Sequence, residues 1–172
     1  EPNQCCPFMN RLNLSEINLN IPYTIWEKDG AYLFKTDYGI VYKISFMEDD
    51  TIWDTGAYQF LITNLSNVAS PNDSKLKLTI LYILESFFKA NNDILLYICE
   101  TGDGKQAMRN RLFVRWFQQY SEHHLYYLKT VEISAEGIMN FAAIIVRQDN
   151  PRINEIIQEF DMITNTLGNK PN

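Results

Sequence analysis

Histidine and cysteine are scarce in this sequence, which has two histidines and three cysteines in 172 residues. Cys5 and Cys6 are adjacent and Cys99 lies in an apolar run, so no even disulfide framework can be drawn from them. His123 and His124 are neighbours at a predicted helix end without i, i+4 spacing, and they indicate a terminal charge rather than a metal site. The composition therefore argues against thiol proteases, serine hydrolases and histidine-based metal centres.

Basic residues are also in deficit, because 15 lysines and arginines against 21 acids give a net charge of -6 and a pI near 4.9. This sign argues against a nucleic acid as the main partner, although it leaves room for a local basic patch. The apolar runs stop well short of the 18 or more residues of a membrane span, and no signal-peptide pattern opens the chain. We therefore expect a soluble, cytoplasmic protein with no membrane partner.

The length fits one domain. Because the chain begins with Glu1, a start at Met9, processing or an added segment are open alternatives. We treat residues 1–20 as a poorly defined N-terminal extension and residues 21–172 as a single α+β domain.

The first half of the domain predicts a meander of four strands. Aromatic and β-branched residues fill 23–28 and 31–36 on either side of Asp29-Gly30, a pair typical of a type I′ hairpin. Alternation over 40–48 predicts a third strand, and 58–68 is most simply a fourth. The larger apolar side chains of the third strand, Ile40, Tyr42, Ile44 and Phe46, should share one face.

The second half mixes helices and strands. Asn72-Asp73 predicts the N-cap of a helix whose apolar stripe is wide enough to be covered on more than one side. The continuously apolar 94–99 predicts an interior strand, and an aromatic-rich helix over 105–122 follows it. A hairpin over 125–148 and a helix over 150–168 complete the order β-β-β-β-α-β-α-β-β-α. This order predicts an α+β fold in which helices cover a largely antiparallel sheet.

The loop after the 94–99 strand holds the first part of the candidate site. Asp103 lies between two glycines, with Glu100 just before it, at the carboxyl end of a buried strand. Ligands often bind at this position in open sheets, and two carboxylates there can hold a divalent cation. The stronger interpretation is that Asp103 caps the helix that starts at Lys105.

Three arginines on that helix form the second part. Arginine is suited to bidentate binding of carboxylate or phosphate, and Arg111 and Arg115 are four residues apart on one face, with Arg109 nearby. They predict a surface for a small anionic ligand or an acidic protein partner. The alternative is a solvated face whose arginines pair with neighbouring acids.

No catalytic residue, metal site or cofactor can be assigned from the sequence. Residues 101–105 lack the spacing of a phosphate-binding loop, and Cys99 is more simply an inert small hydrophobe in a strand. We therefore expect no cofactor and no metal, and we leave open whether the protein is an enzyme.

A set of residues spread over the chain carries a family resemblance: Tyr32, Phe34, Thr36, Tyr42, Tyr97, Ile98, Cys99, Asp103, Gln106, Arg109, Phe113, Trp116 and Phe117. With these residues, from about Tyr23 onward, the chain resembles a family of small, uncharacterised proteins from Bacteroides-like bacteria. The resemblance implies a bacterial origin and a cytoplasmic setting, and it implies no known activity.

The order of elements also resembles the acyl-CoA-dependent N-acetyltransferase fold. That family binds the cofactor pyrophosphate with an R/Q-x-x-G-x-G/A turn at the start of the helix after the meander. Here residues 70–75 contain no glycine and carry an acid. Two hypotheses follow. The first is a binding or interaction module that uses the surface of Glu100, Asp103 and the three arginines, and the second is an active or degenerate acetyltransferase-like enzyme.

Overall fold

The computed structural model describes residues 9–49, 56–99, 106–120, 122–135 and 138–168. The strands are β1 (Trp26–Lys28), β2 (Ala31–Lys35), β3 (Val41–Glu48), β4 (Ala57–Asn64), β5 (Ile94–Cys99), β6 (Tyr126–Ala135) and β7 (Ile138–Arg147). The helices are α1 (Leu14–Ile17), α2 (Ser74–Ala90), α3 (Gln106–Gln119) and α4 (Ile153–Gly168), with a short 3-10 turn at His123–Leu125. The strands form a mixed, mostly antiparallel sheet in the order β1-β2-β3-β4-β5-β7-β6. The α+β prediction is confirmed.

The fourth strand is shorter than the sequence predicts, because its end is drawn into a turn. The Asn64 side chain accepts a hydrogen bond from Ser66 N at 3.0 Å and donates one to Val68 O at 2.8 Å. These side-chain bonds compete with continued strand pairing. The strand therefore ends at Asn64 instead of Val68.

The chain divides into two compact units. The first contains the described residues up to Met47 together with Phe60–Asn92, and is built on β1, β2, β3 and α2. The second contains the described parts of Glu48–Gln59 and of the chain from Asp93 onward, and is built on β5, β6, β7, α3 and α4.

In the first unit, β1 and β2 form the predicted hairpin. Asp29 and Gly30 both have positive φ, at 52° and 77°, as a type I′ turn requires. The antiparallel register aligns Trp26 with Leu33, and Leu33 in turn with Lys43 of β3. The hairpin prediction is confirmed.

An aromatic core covers one side of this meander. Phe34 stacks between Tyr23 and Tyr42, with ring centroids 6.1 and 5.6 Å away. Phe46 stacks on Phe87 of α2 at 4.9 Å, which places the helix over the same side. The wide apolar stripe predicted for α2 is confirmed, since it buries Leu76, Thr79, Ile80, Leu81, Ile83, Leu84, Phe87 and Phe88.

The segment before β1 is bonded to this unit at both ends. The Asn18 amide donates to Ile25 O at 3.0 Å and accepts from Ile25 N at 2.9 Å, as a neighbouring strand would. Nearer the start, Asn10 N donates to the buried Asn91 Oδ1 at 2.8 Å. Leu12, which lies between Asn10 and Asn18 in the sequence, is buried.

In the second unit β7 lies between β5 and β6, antiparallel to both. Because side chains alternate along a strand, this sheet has two apolar faces. One packs on α4 through residues that include Ile94, Leu96, Ala142, Ile144, Val146, Ile156 and Phe160. The other packs on α3 through Tyr97 and Tyr126.

The strand β5 is buried on both faces from Ile94 to Tyr97, as predicted. The last helix begins at Ile153, three residues later than predicted, after a turn in which Asn150 Oδ1 accepts from Arg152 N at 2.9 Å. Among the helices of the described residues, none combines the length and the apolar character needed to cross a membrane.

Candidate functional site

Only part of the predicted surface lies in the described chain. Glu100 and Asp103 fall in the gap between residues 99 and 106, so the cation site and the capping role of Asp103 remain predictions. Arg109 lies in α3, whose described side chains begin at Arg111. The described part of the candidate site is therefore the outer face of α3, which we define as Arg111, Leu112 and Arg115.

The inner face of α3 fixes the helix to the sheet through two aromatic contacts. The Phe113 ring stacks on Tyr97 of β5 with centroids 4.3 Å apart and an interplanar angle of 25°. One turn later, Phe117 meets Tyr126 of β6 edge-on at 5.7 Å. All four rings are buried. Because Phe113 and Phe117 lie one turn apart and are both buried, the opposite side of α3 faces solvent.

The outer face of α3 is cationic. Arg111 and Arg115 are both exposed, as the sequence predicts, and lie one turn apart. The helix carries three arginines and no acidic residue. An ion pair for these arginines must therefore come from another element, because the helix itself supplies no carboxylate.

An apolar residue accompanies the two arginines. The sequence predicts that one side of this helix is lined by Met108, Leu112, Phe113, Trp116, Phe117 and Tyr120. For Leu112 this prediction is wrong, since the side chain is 40% exposed. The reason is geometric, because Leu112 lies about 100° around the helix from Phe113. A helical projection centred on Phe113 and Phe117 would have found it. Trp116, which comes directly before Phe117, is half-buried.

The two histidines lie beyond the end of α3, in the 3-10 turn. Both are exposed, and their ring centroids are 6.2 Å apart at a steep angle. His123 Nδ1 is 2.7 Å from Tyr120 O, a carbonyl just after the helix end. The imidazole ring is thus within hydrogen-bond distance of a backbone carbonyl next to the end of α3. Across the described residues, no group of three or more metal-binding side chains is present.

The start of α2 bears on the enzyme hypothesis. Asp73 caps this helix as predicted, and its Oδ1 accepts from Lys75 N at 3.0 Å and from Leu76 N at 3.3 Å. Its Oδ2 accepts from the Tyr23 hydroxyl at 2.7 Å. These amides are the groups that a phosphate would need at a helix N-terminus, and a carboxylate occupies them here.

Comparison with known proteins identifies a family. Residues 72–162 match the model of a family of unknown function, DUF6169, and the chain belongs to this family. The matched segment begins beside Asp73 and includes α3. No curated protein and no solved structure gives a significant match.

Proposed function

We propose that this member of DUF6169 is a binding module that engages an acidic segment of a protein partner through the outer face of α3. One observation carries the proposal: Arg111 and Arg115 are exposed one turn apart on a helix that has no acid of its own. The surface lies within the segment that matches the family.

The spacing of the arginines favours a helical partner. Four residues along a helix span about 6 Å, so two carboxylates at i and i+4 of a partner helix have the same separation as Arg111 and Arg115. Each guanidinium can bind a carboxylate with two parallel hydrogen bonds. The exposed Leu112 beside them offers an apolar contact that a purely ionic surface lacks.

Rigid support of the helix contributes to binding. The buried stacking of Phe113 on Tyr97 and of Phe117 against Tyr126 holds the backbone of α3 in place. When a partner binds, the arginine side chains lose conformational freedom but the backbone of α3 does not. This lowers the entropic cost of association.

The rival hypothesis, an acyl-CoA-dependent acetyltransferase, receives less support. A cofactor pyrophosphate at the start of α2 would meet the Asp73 carboxylate, which already accepts from the first-turn amides. Two anions at one helix N-terminus repel each other. We accordingly favour a binding role over acyl transfer.

We also propose a bacterial, cytoplasmic setting. The support is the resemblance described above and the unpaired pattern of the three cysteines, which suits a reducing compartment. Localisation of the tagged protein in a Bacteroides-type host would test this part separately.

The proposal is tested with a designed helical peptide that carries glutamates at i and i+4 around a leucine. Charge-assisted hydrogen bonds contribute roughly 1.5–3 kcal/mol each, and every 1.4 kcal/mol is tenfold in affinity. We expect the double variant Arg111→Glu, Arg115→Glu to weaken peptide binding by at least about tenfold, as measured by calorimetry.

The matched control is Lys89→Glu with Arg152→Glu, which reverses two exposed cations outside α3. Equal losses in the two double variants would show that net charge alone governs binding, and would contradict the proposal. Stabilisation of the wild type by coenzyme A, about 2.7 kcal/mol at a hundred times its dissociation constant, would instead favour the enzyme.

A further inference from the structure

The meander of the first unit has a second side, opposite its aromatic core. The register aligns Trp26, Leu33 and Lys43 in one row across β1, β2 and β3. Since side chains alternate along strands, Lys28 and Lys35 lie on the same side. We call Trp26, Lys28, Lys35, Lys43 and Met47 the open face of the meander.

The two sides differ in burial except on the central strand β2, where Ala31 and Leu33 of the open face are buried as well. The core side carries Tyr32, Phe34, Tyr42 and Ile44, all buried, and packs on α2. On the open face the three lysines are exposed, as are 42% of Trp26 and 53% of Met47. A tryptophan exposed to this degree is available for contact with a partner.

The charge on the open face has one sign. The residues that point to this side of the three strands include three lysines and no acid. Among ion pairs between described residues, none involves these lysines. In a chain with a net charge of -6, such a surface is a local cationic field on an acidic molecule.

Strand geometry gives the spacing. With strands about 4.8 Å apart and residues i and i+2 about 7 Å apart, the lysine Cα atoms are separated by about 8 to 14 Å. Trp26 lies about 7 to 10 Å from each of them on the same grid. Trp26 thus lies at the β1 edge of the face, with Lys28 beside it and Lys35 and Lys43 on the next two strands, over the length of a few nucleotides.

We propose that the open face binds single-stranded nucleic acid, with a base stacked on Trp26 and phosphates at Lys28, Lys35 and Lys43. Sheet surfaces that combine aromatic and basic side chains bind single strands in this way, since bases supply flat apolar faces and phosphates supply charge. This function is additional to that of α3 and uses the other unit. The net charge of -6 argues against a nucleic-acid partner only for the chain as a whole. The proposal revises that inference for the open face.

A second copy of the chain fits the open face less well. Two open faces brought together would place lysines against lysines without an acid between them, and like charges in an interface are costly. A partner with its own negative charge and planar apolar groups satisfies both components of the surface.

The test is fluorescence titration of the whole protein with a twelve-residue oligothymidylate at several salt concentrations. Three phosphate contacts predict a plot of log K against log salt with a slope of about -2. Each of Lys28→Gln, Lys35→Gln and Lys43→Gln should reduce the magnitude of that slope by about 0.7. Lys89→Gln, an exposed lysine of α2 outside the open face, should leave it unchanged.

Stacking is tested separately. Trp26→Ala should lower affinity by about 5- to 150-fold, and an abasic phosphodiester of equal length should bind the wild type as weakly as the variant binds the oligothymidylate. Equal affinity of the wild type for both oligomers would overturn the proposal, because it would reduce the face to a general anion binder. Binding to phosphatidylserine vesicles without binding to the oligothymidylate would overturn it in favour of a membrane surface. No binding to either would also overturn it.

Discussion

The hydroxyl of Tyr23 donates a 2.7 Å hydrogen bond to Asp73 Oδ2, across 50 residues of sequence. It joins the segment before β1 to the first turn of α2. Tyr23 is almost fully buried, and burial, followed by the bond to Asp73, raises its pKa to about 12. Lys75 completes the group, with Nζ 5.8 Å from the Tyr23 ring centroid and 2.7 Å from Asp37 Oδ2.

Removal of this hydroxyl should destabilise the fold and change its response to alkali. Tyr23→Phe is expected to cost about 1 kcal/mol at pH 8, the usual net value of a hydrogen bond. The folded protein holds the phenol proton more tightly than the unfolded chain, whose pKa is about 10. The stabilisation from Tyr23 is therefore complete below pH 10 and is lost as pH rises through 12. Urea unfolding of the wild type and of Tyr23→Phe from pH 8 to 12 should show that the difference between their free energies of unfolding becomes smaller as pH rises. A constant difference would contradict the assignment of the raised pKa to Tyr23.

The cap of α2 can be separated from its charge. Asp73→Ala removes the acceptor for Lys75 N and Leu76 N and leaves the buried Tyr23 hydroxyl without this acceptor, so we expect a loss of about 2–3 kcal/mol. Asp73→Asn keeps a side-chain oxygen, and asparagine caps nearly as well as aspartate. Denaturant unfolding should therefore place the asparagine variant nearer to the wild type. If both variants lost the same stability, the carboxylate charge and not the cap would be responsible.

Asp93 should be a source of instability at neutral pH. It lies before β5, its Oδ1 is 3.2 Å from the point that a Cβ on Gly56 would occupy, and burial raises its pKa above the ordinary 3.8. Its charged form is disfavoured in the folded state. The contribution of Asp93 to stability is thus complete below pH 3.8 and is lost as pH rises through the raised value. Asp93→Asn should raise the melting temperature at pH 7, with the gain shrinking towards pH 3, and a lower melting temperature at pH 7 would refute this.

The orientation of α3 is tested by two neighbouring residues. Phe113→Ala removes a buried ring stacked on Tyr97 and should cost about 3–5 kcal/mol. Leu112→Ala, on the outer face, should cost less than about 1 kcal/mol. Chemical denaturation of the two variants gives the comparison, and similar losses would mean that the helix presents a different face to the sheet.

The features that could be predicted from sequence are those encoded over a few residues. Asp29-Gly30 needs only the preference of glycine and aspartate for positive φ, and the cap by Asp73 needs only the first turn of α2. The apolar run that begins at Ile94 predicts a buried interior strand because both of its sides are apolar.

The features that could not be predicted depend on pairing between distant segments. The open face exists because Trp26, Leu33 and Lys43 fall into register, and no single strand reveals that its lysines share a side with the next. In the same way, residues before β1 show no strong local pattern, yet Asn18 bonds to Ile25. Within the candidate surface, the exposure of Arg111 and Arg115 is predicted from their spacing. The exposure of Leu112 depends instead on the fact that the neighbouring Phe113 is the side chain that stacks on Tyr97.

The position of β7 between β5 and β6 has a consequence for synthesis on the ribosome. The register joins β6 to β7 from Tyr126 to Ala135, and β5 to β7 but not to β6. A nascent chain that has emerged only as far as β6 has no neighbour to which that strand can bond in its final place. The sheet of the second unit can therefore be completed only after Arg147 leaves the exit tunnel, and until then the apolar sides of β5 and β6 lack β7 as a neighbour.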